Sequence, residues 1–306
     1  MNIVRQSHEI WGQIYTVGNS PEKDKQSLLD SIFKHIERVG RVCYKSEDKI
    51  TKDSAKAFVD RLIASEHYAM LEHGTVYLTI PCRDWRDYSE FMESYGRNPY
   101  TQYDDSECNW AGKRGNVYVT TNYRVLVENG WLRDALDCIS IPTPKHPKRI
   151  TVHFVTNRQV SHELVRHRKM SFAQESTRYC NYMKDKFGNE LTFIAPCWLD
   201  EKPNEPKLLE DPQYLQATKL YSDVMDNIEF TYDQLVRNYG WKPQQAAAIL
   251  PNSLKTEIVV TGFASDWKHL LDLRYKGTTG APHPMMLQLM TPVYAEFDHL
   301  GLLKNG

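Results

Sequence analysis

The sequence has no surplus charge of either sign: 38 lysines and arginines stand against 39 aspartates and glutamates, a formal net charge of −1 at pH 7. A chain so balanced has no general attraction for nucleic acid or an anionic membrane, so any anion site must be local. Paired cysteines are lacking too. The six, Cys43, Cys82, Cys108, Cys138, Cys180 and Cys197, are scattered without a CxxC pair. A chain this long needs no disulfide staples, so they read as reduced thiols of a cytoplasmic protein. No uninterrupted apolar run reaches membrane-spanning length, and the opening MNIVRQSHEIWGQIY lacks the cationic start, apolar core and small-residue cleavage site of a secretion signal. Neither membrane insertion nor secretion is expected. There is no internal repeat, no low-complexity tract and no glycine-rich phosphate loop of the GxGxxG or GxxxxGKS/T type. If a nucleotide binds, arginines and helix ends must hold it.

What is present is an ordinary globular composition, 41% hydrophobic and 25% charged over 306 residues, enough for one large domain or two small ones. Leu28, Leu29, Ile32, Phe33, Ile36 and Val39 recur at helical spacing after the turn-like NSPEKD, and Phe58, Val59, Leu62 and Ile63 repeat the pattern after Asp53. TVYLTI (75–80), NVYVTTN (116–122) and RITVHFVT (149–156) are β-branched and partly alternating, as strands of a half-buried sheet are. A longer helix is expected over roughly 214–239. Two stretches, 101–116 and 142–149, carry glycine or proline among polar residues and read as loops that bracket a candidate insertion. Helices and strands together point to an α+β chain.

Three constellations carry chemistry. After RITVHFVT, the segment NRQVSHELVRHRK places Val160 and Leu164 four apart, and His167 and Arg168 are expected to continue that helical face, so the apolar stripe ends in cations. Alone, such a cluster is a solvated basic helix end. The following SFAQESTRY adds Gln174, Ser176, Thr177 and Arg178, donors suited to phosphate and a carbonyl-rich base, and tips the reading towards a phosphate-bearing ligand. The same stretch is no metal site. His162 and His167 are five apart, whereas a helical metal pair needs four. In DWKHLLDLR, Trp267, Leu270, Leu271 and Arg274 fall at i, i+3, i+4 and i+7, which puts Arg274 where an apolar residue is expected. It is either a snorkelling arginine or one aimed into a cleft to stabilise an anion. LEHGT (71–75) sets Glu72, His73 and Thr75 in a loop before a strand, where a lone histidine is usually solvated. In LPNSLKTEIVVT the polar Ser253, Lys255, Thr256 and Glu257 read as capping and surface residues.

In this order, the segments resemble the flavin-dependent thymidylate synthases. The signature of that family, RHR, seven residues, then Ser, reads here Arg166, His167, Arg168, KMSFAQE, Ser176, continued by TRY. GRVCYKS (40–46), AMLEHGTVYL (69–78), SHELVRHR (161–168), LPNSLKTEIVVTG (250–262) and WKHLLDLR (267–274) also look like family segments. The resemblance implies one domain over 1–306 with a central, mostly antiparallel sheet flanked by helices, and an insertion at about 83–147 that shorter members lack. It implies methylation of deoxyuridine monophosphate (dUMP) to thymidylate, with 5,10-methylenetetrahydrofolate giving the carbon, NADPH the electrons and bound flavin adenine dinucleotide (FAD) the hydride, in a homotetramer with shared active sites and no metal. Carried over by position, Arg166, His167, Arg168, Thr75 and His269 would contact the flavin, with His73 close by. Glu163, Arg166, Gln174, Glu175, Ser176, Thr177 and Arg178 would surround the nucleotide. Arg274 would favour ionisation of the pyrimidine N3, and Ser176 and Arg274 would be the catalytic pair. Where many members carry an arginine for the nucleotide phosphate, this chain has Ala247, so Arg178 or another group would bear more of it.

Two rivals remain. The cysteine-dependent thymidylate synthases use a Pro-Cys nucleophile, and Pro-Cys occurs here at Cys82 and Cys197, but the other segments of that family are absent and a thiolate needs an activating neighbourhood. A nucleic-acid-binding module could use the 166–178 cations with the 18 tyrosines and 7 tryptophans as stacking surfaces, against which the neutral charge weighs.

Overall fold

The structure, a computed structural model, describes residues 1–15, 21–108, 114–199 and 211–303. The expected 101–116 loop lies partly outside them, as do the first residues of the NSPEKD turn. The strands are β1 (Asn2–Val4), β2 (Ser7–Ile10), β3 (Thr75–Cys82), β4 (Gln102–Asp104), β5 (Gly115–Asn122), β6 (Arg149–Asn157), β7 (Ser171–Gln174), β8 (Thr192–Ile194) and β9 (Lys255–Phe263). The helices are α1 (Pro21–Tyr44), α2 (Ser54–Ala64), α3 (Trp85–Glu93), α4 (Tyr123–Glu128), α5 (Leu132–Cys138), α6 (Arg158–Leu164), α7 (Pro212–Arg237), α8 (Pro243–Ala246), α9 (Ala264–Arg274) and α10 (Pro284–His299).

A four-stranded antiparallel sheet, β2-β6-β9-β7, forms the centre, beside a three-stranded antiparallel sheet, β3-β5-β4, and the parallel pair β1-β8. The mixed fold with mainly antiparallel sheets is therefore as expected. Residues Arg149–Asn157 pair along their whole length with Lys255–Phe263. Alternation decides what each face meets. Ile150, Val152 and Phe154 of β6, with Ile258 and Val260 of β9, face a core built by α6, α9 and α10, in which Val160, Leu164, Trp267, Leu270, Met286 and Met290 are fully or almost fully buried. Val259 and Ala173 face the opposite core, made by α1, α2 and the β3-β5 sheet.

Between that second core and the sheet runs a buried polar chain. His35 meets Thr151 at 3.3 Å, Thr151 meets Thr261 at 2.8 Å, and Thr261 meets His73 Nδ1 at 2.8 Å. Burial holds both imidazoles on the neutral side, His35 down at about 4 and His73 well below its ordinary value. His73 is thus fully buried rather than solvated. The LEHGT turn that carries it runs so close to α1 that a Cβ on Gly74 would lie 2.6 Å from Ile36 Cδ1, and only glycine fits there.

The 83–147 segment is built into the fold. Its strand β5 pairs with β3 from Thr75↔Asn122 to Cys82↔Gly115, and Tyr88, Phe91, Tyr95, Val117 and Val119 join the core of α1 and α2. Trp267 ties the other core to the sheet: its indole N–H donates to the Ile150 carbonyl at 3.0 Å, and its ring contacts Phe154 and Phe297. Trp267→Ala should therefore cost about 3–5 kcal/mol of unfolding free energy. Urea titration measures it, and a loss below about 1 kcal/mol would contradict this packing.

Candidate functional site

Asn157 starts α6 by accepting a hydrogen bond from Val160 N–H at 2.8 Å, and the helix ends at Leu164. The expectation that His167 and Arg168 continue its face is corrected here. The chain leaves the helix through tight turns, with Arg166 N–H donating to the Glu163 carbonyl, His167 N–H to Leu164 and Met170 N–H to His167. With six residues between them and the helix end, β7 begins at Ser171 opposite Thr261. The turn buries His167 and exposes Arg166, Arg168 and Lys169.

These residues line a cleft of about 570 Å³ together with His269 and Arg274 of α9, Ser265 and Asp266 at its start, Arg149 of β6, and Tyr100, Gln102 and Asn122 of the 83–147 segment. The volume is in the range of small-molecule sites, about 300–1,000 Å³. Arg274 leaves the apolar stripe of α9 to donate through Nη1 to Glu163 Oε2 at 2.8 Å and through Nε to His167 Nε2 at 3.3 Å. Since Nε2 accepts, the neutral His167 ring carries its proton on Nδ1. Burial first, and then the charges of Arg274 and His269, pull His167 down to about 4. Asp266 accepts from Phe263 N–H at 3.1 Å, and burial raises its carboxyl pKa. The cleft is thus cationic through fixed guanidinium groups, with a neutral imidazole between them, a donor set that fits phosphate and the polar edge of a heterocycle.

Other expected site residues lie elsewhere in this chain. Thr75 and His73 sit behind Arg149. Thr75 lines a second cavity of about 240 Å³ with Trp11, His35, Thr151 and Arg149, and exchanges backbone hydrogen bonds with the Gln13 amide. Strand β7 leads away from the main cleft. Ser171 lines that cleft, whereas Gln174 stands at the other end of the strand, about 10 Å further on at about 3.3 Å per residue, and Ser176, Thr177 and Arg178 follow it. Gln174 donates to Ser161 and Thr256. Ser176 Oγ accepts from Arg178 N–H, Thr177 is partly buried, and Arg178 is exposed over the Tyr179 ring.

Glu175 is buried, accepting from Tyr182 and Lys255. That lysine belongs to a cluster that corrects the reading of Lys255, Thr256 and Glu257 as surface residues. Glu257 is held by Lys45 at 2.8 Å, Lys255 at 2.5 Å and His153 at 2.9 Å, while Thr256 is buried. Although burial opposes its charge, these partners keep the Glu257 carboxylate well below the usual range. Among the described residues no group of three or more histidines, cysteines, aspartates or glutamates is arranged for a metal, and no described helix is long and apolar enough to cross a membrane.

A family model described as thymidylate synthase complementing protein matches residues 142–295, which contain the arginine turn, β6, β7, β9, α9 and thus most of the cleft. The chain belongs to that family. Curated relatives described as flavin-dependent thymidylate synthases include those of Corynebacterium diphtheriae, 27% identical over 167 residues (50% of this chain, 59% of the relative), and Corynebacterium glutamicum, 30% identical over 132 residues (39% and 46%). That of Mycobacterium tuberculosis is 29% identical over 156 residues (50% and 60%). The matched region thus spans about half the length of these relatives. Among solved structures, the UMP/dUMP methylase PolB from Streptomyces cacaoi bound with 5-Br dUMP aligns over 99% of this chain and 93% of its own with 14% identity and a TM-score of 0.42.

Sequence reasoning missed Arg149, Tyr100, Gln102, Asn122, Ser265 and Asp266. In sequence Arg149 is one more cation in a loop-like PKHPKR, and nothing local marks Tyr100 or Gln102. Gln102 reaches the cleft because its amide donates to Ser265 Oγ at 2.9 Å, a contact across 163 positions.

Four buried histidines, His35, His73, His146 and His167, are held below their ordinary value by burial and shape the acid response. His35 and His167 sit at about 4 when folded against 6.5 ordinarily. Between those values the unfolded chain binds more protons, so stability is full above pH 6.5 and falls as the pH drops towards 4. Urea midpoints measured from pH 7 to 4.5 should show this, and NMR titration should find His167 neutral at pH 5.5. Arg274→Gln should move the His167 titration upwards, since a nearby positive charge is lost. A His167 that titrates near 6.5 in the unmodified chain would refute the assignment.

Proposed function

We propose that this protein is a flavin-dependent thymidylate synthase that methylates dUMP to thymidylate, with FAD as cofactor and NADPH and 5,10-methylenetetrahydrofolate as co-substrates. The observation that carries the reading is the convergence of the Arg166-His167-Arg168 turn with His269 and Arg274 on one cleft, although they lie about a hundred positions apart in the sequence. Arg166, His167, Arg168 and His269 are the residues that would hold the flavin, which when bound supplies a hydride. The chain's own part is orientation and charge. Arg274, fixed by Glu163 and His167 before any ligand arrives, stabilises the anion at the pyrimidine N3. The neutral His167 donates from Nδ1 without adding a competing charge.

Gln174, Glu175, Ser176, Thr177 and Arg178 bind the nucleotide at the far end of β7, with Thr75 and His73 supporting the flavin side from behind Arg149. Separation of this turn from the cleft within one chain supports active sites completed between subunits of a cytoplasmic homotetramer. The exposure of Leu215, Leu220, Val224 and Phe230 along α7 supports burial in such an assembly. Of the two Pro-Cys thiols, Cys82 is disfavoured as a nucleophile because burial raises it to about 12, as it does Cys180, with Cys43 at about 11.

The deciding experiment is the visible spectrum of the purified protein after FAD loading, reduced anaerobically with NADPH. A bound-flavin band that bleaches, and bleaches faster with dUMP present, is expected; a protein that takes up no flavin refutes the reading. Arg274→Ala should depress turnover by about tenfold or more while leaving flavin retention nearly intact, and equal loss of both would make Arg274 structural. Cys197→Ala should turn over normally, whereas loss of turnover with flavin still bound would restore the cysteine mechanism. Arg178→Ala should weaken dUMP binding by about 2–3 kcal/mol in calorimetry.

A further inference from the structure

Arg149 is the first residue of β6, where the chain returns from the 83–147 segment, opposite Phe263. Its side chain lines both the main cleft and the smaller cavity behind it. Every hydrogen-bond partner it has among the described residues is neutral. Nη1 donates to the Glu72 carbonyl at 2.9 Å and to Thr75 Oγ1 at 3.3 Å, and Nη2 reaches Ser171 Oγ only at 3.5 Å. The guanidinium carbon lies 5.6 Å from the Phe263 ring centre. No carboxylate among the described residues forms an ion pair with it. The contrast with its neighbours is plain: Arg274 is paired with Glu163, and Arg124 with Glu72 and Glu128.

A guanidinium partly withdrawn from water without a counter-ion is costly, and the surroundings resist its charge, burial pulling it down to about 10 while Tyr77, Glu72 and Asp266 offset this only in part. The backbone and Thr75 contacts hold one edge of the fork rigidly and leave the Nη2 side, at the cleft, without a strong acceptor. Lys169, Ser171, Asn122 and Ser265 line the same cleft, Ser171 within reach of Nη2, and can supplement an oxyanion contact.

We propose that Arg149 is a ligand-binding residue of the cleft whose missing counter-ion is a phosphate-type oxyanion brought by the ligand. The assignment rests on the flavin-and-nucleotide reading only for the source of that group, which is either the diphosphate of the dinucleotide cofactor or the monophosphate of the nucleotide substrate. Arg149 acts with the Arg166–Arg168 turn, approaching the same ligand from the sheet.

The test compares the unmodified chain with Arg149→Gln, which can keep the Glu72 contact, and Arg149→Lys, which keeps the charge. Affinities for FAD, riboflavin, dUMP and deoxyuridine are read from protein fluorescence or calorimetry, and melting of the ligand-free proteins is followed with and without inorganic diphosphate. In Arg149→Gln, affinity for a phosphate-bearing ligand should fall about tenfold or more, with riboflavin and deoxyuridine affected less than about twofold and Arg149→Lys recovering part of the loss. Loss confined to FAD assigns the cofactor's diphosphate; loss confined to dUMP assigns the substrate's phosphate. Ligand-free Arg149→Gln should melt no lower than the unmodified chain, because an uncompensated charge has gone. A lower melting temperature with FAD and dUMP affinities unchanged overturns the proposal.

Should the unmodified chain bind neither FAD nor dUMP, the proposed function fails, and inorganic diphosphate alone decides the arginine. Stabilisation by diphosphate that disappears in Arg149→Gln sustains the proposal, and no stabilisation overturns it. If Arg149→Gln does not fold, the Arg149 Nε–H resonance of the unmodified chain, assigned by its absence in Arg149→Lys, carries the test. A shift with inorganic diphosphate supports the oxyanion contact, and an unmoved resonance refutes it.

Discussion

The pairing of β6 with β9 is the constraint on which the rest depends. Nine residues of each strand are in register, and each strand passes directly into a helix, α6 from one end of the pair and α9 from the other. Because the strands are antiparallel, the helices run towards each other across one face and share one apolar core. Their ends meet where Glu163 accepts from Arg274. A slip of one residue in that register would turn the apolar set of the shifted strand, Val152 and Phe154 of β6 or Ile258 and Val260 of β9, to the wrong face and separate the two halves of the cleft.

On this frame the cleft is an electrostatic compromise. Several cations are gathered in a chain with no net surplus of them, and they are tolerated because most remain exposed or paired. Arg166, Arg168 and Lys169 keep contact with water, and Arg274 has Glu163. The exposed groups lose little on ligand binding except hydration, while the preset Arg274 needs no reorganisation. Burial keeps His167 neutral between them, which limits mutual repulsion. The opposite solution appears at the other end of β9, where Glu257 and Glu175 together balance the charges of the half-buried Lys45 and Lys255.

The 83–147 segment changes how the cleft should be understood. It supplies β4, β5 and helices that share the core of α1 and α2, and its Tyr100, Gln102 and Asn122 form one wall. Gln102 fastens that wall to the start of α9 through Ser265. Variation in this segment would therefore alter the shape of the cleft, although none of it belongs to the arginine motif.

The sequence by itself determined the local structure. The 3.6-residue recurrence in α1 and α2, the alternation in β3, β5 and β6, and the spacing from Arg166 to Ser176 are properties of near neighbours, and each was legible because side-chain direction follows the backbone period. The helical spacing of Trp267, Leu270 and Leu271 also marked Arg274 as an anomaly in its stripe. Only the tertiary structure decided where α6 stops, that Lys255 and Glu257 are half-buried and paired with Lys45, and that Arg149 and Tyr100 share a cleft with the arginine turn. The physical reason is range. Arg274 meets His167 across 107 positions and Gln102 meets Ser265 across 163, and contacts so distant are set by strand register and by which faces pack, neither of which leaves a mark on the residues beside them.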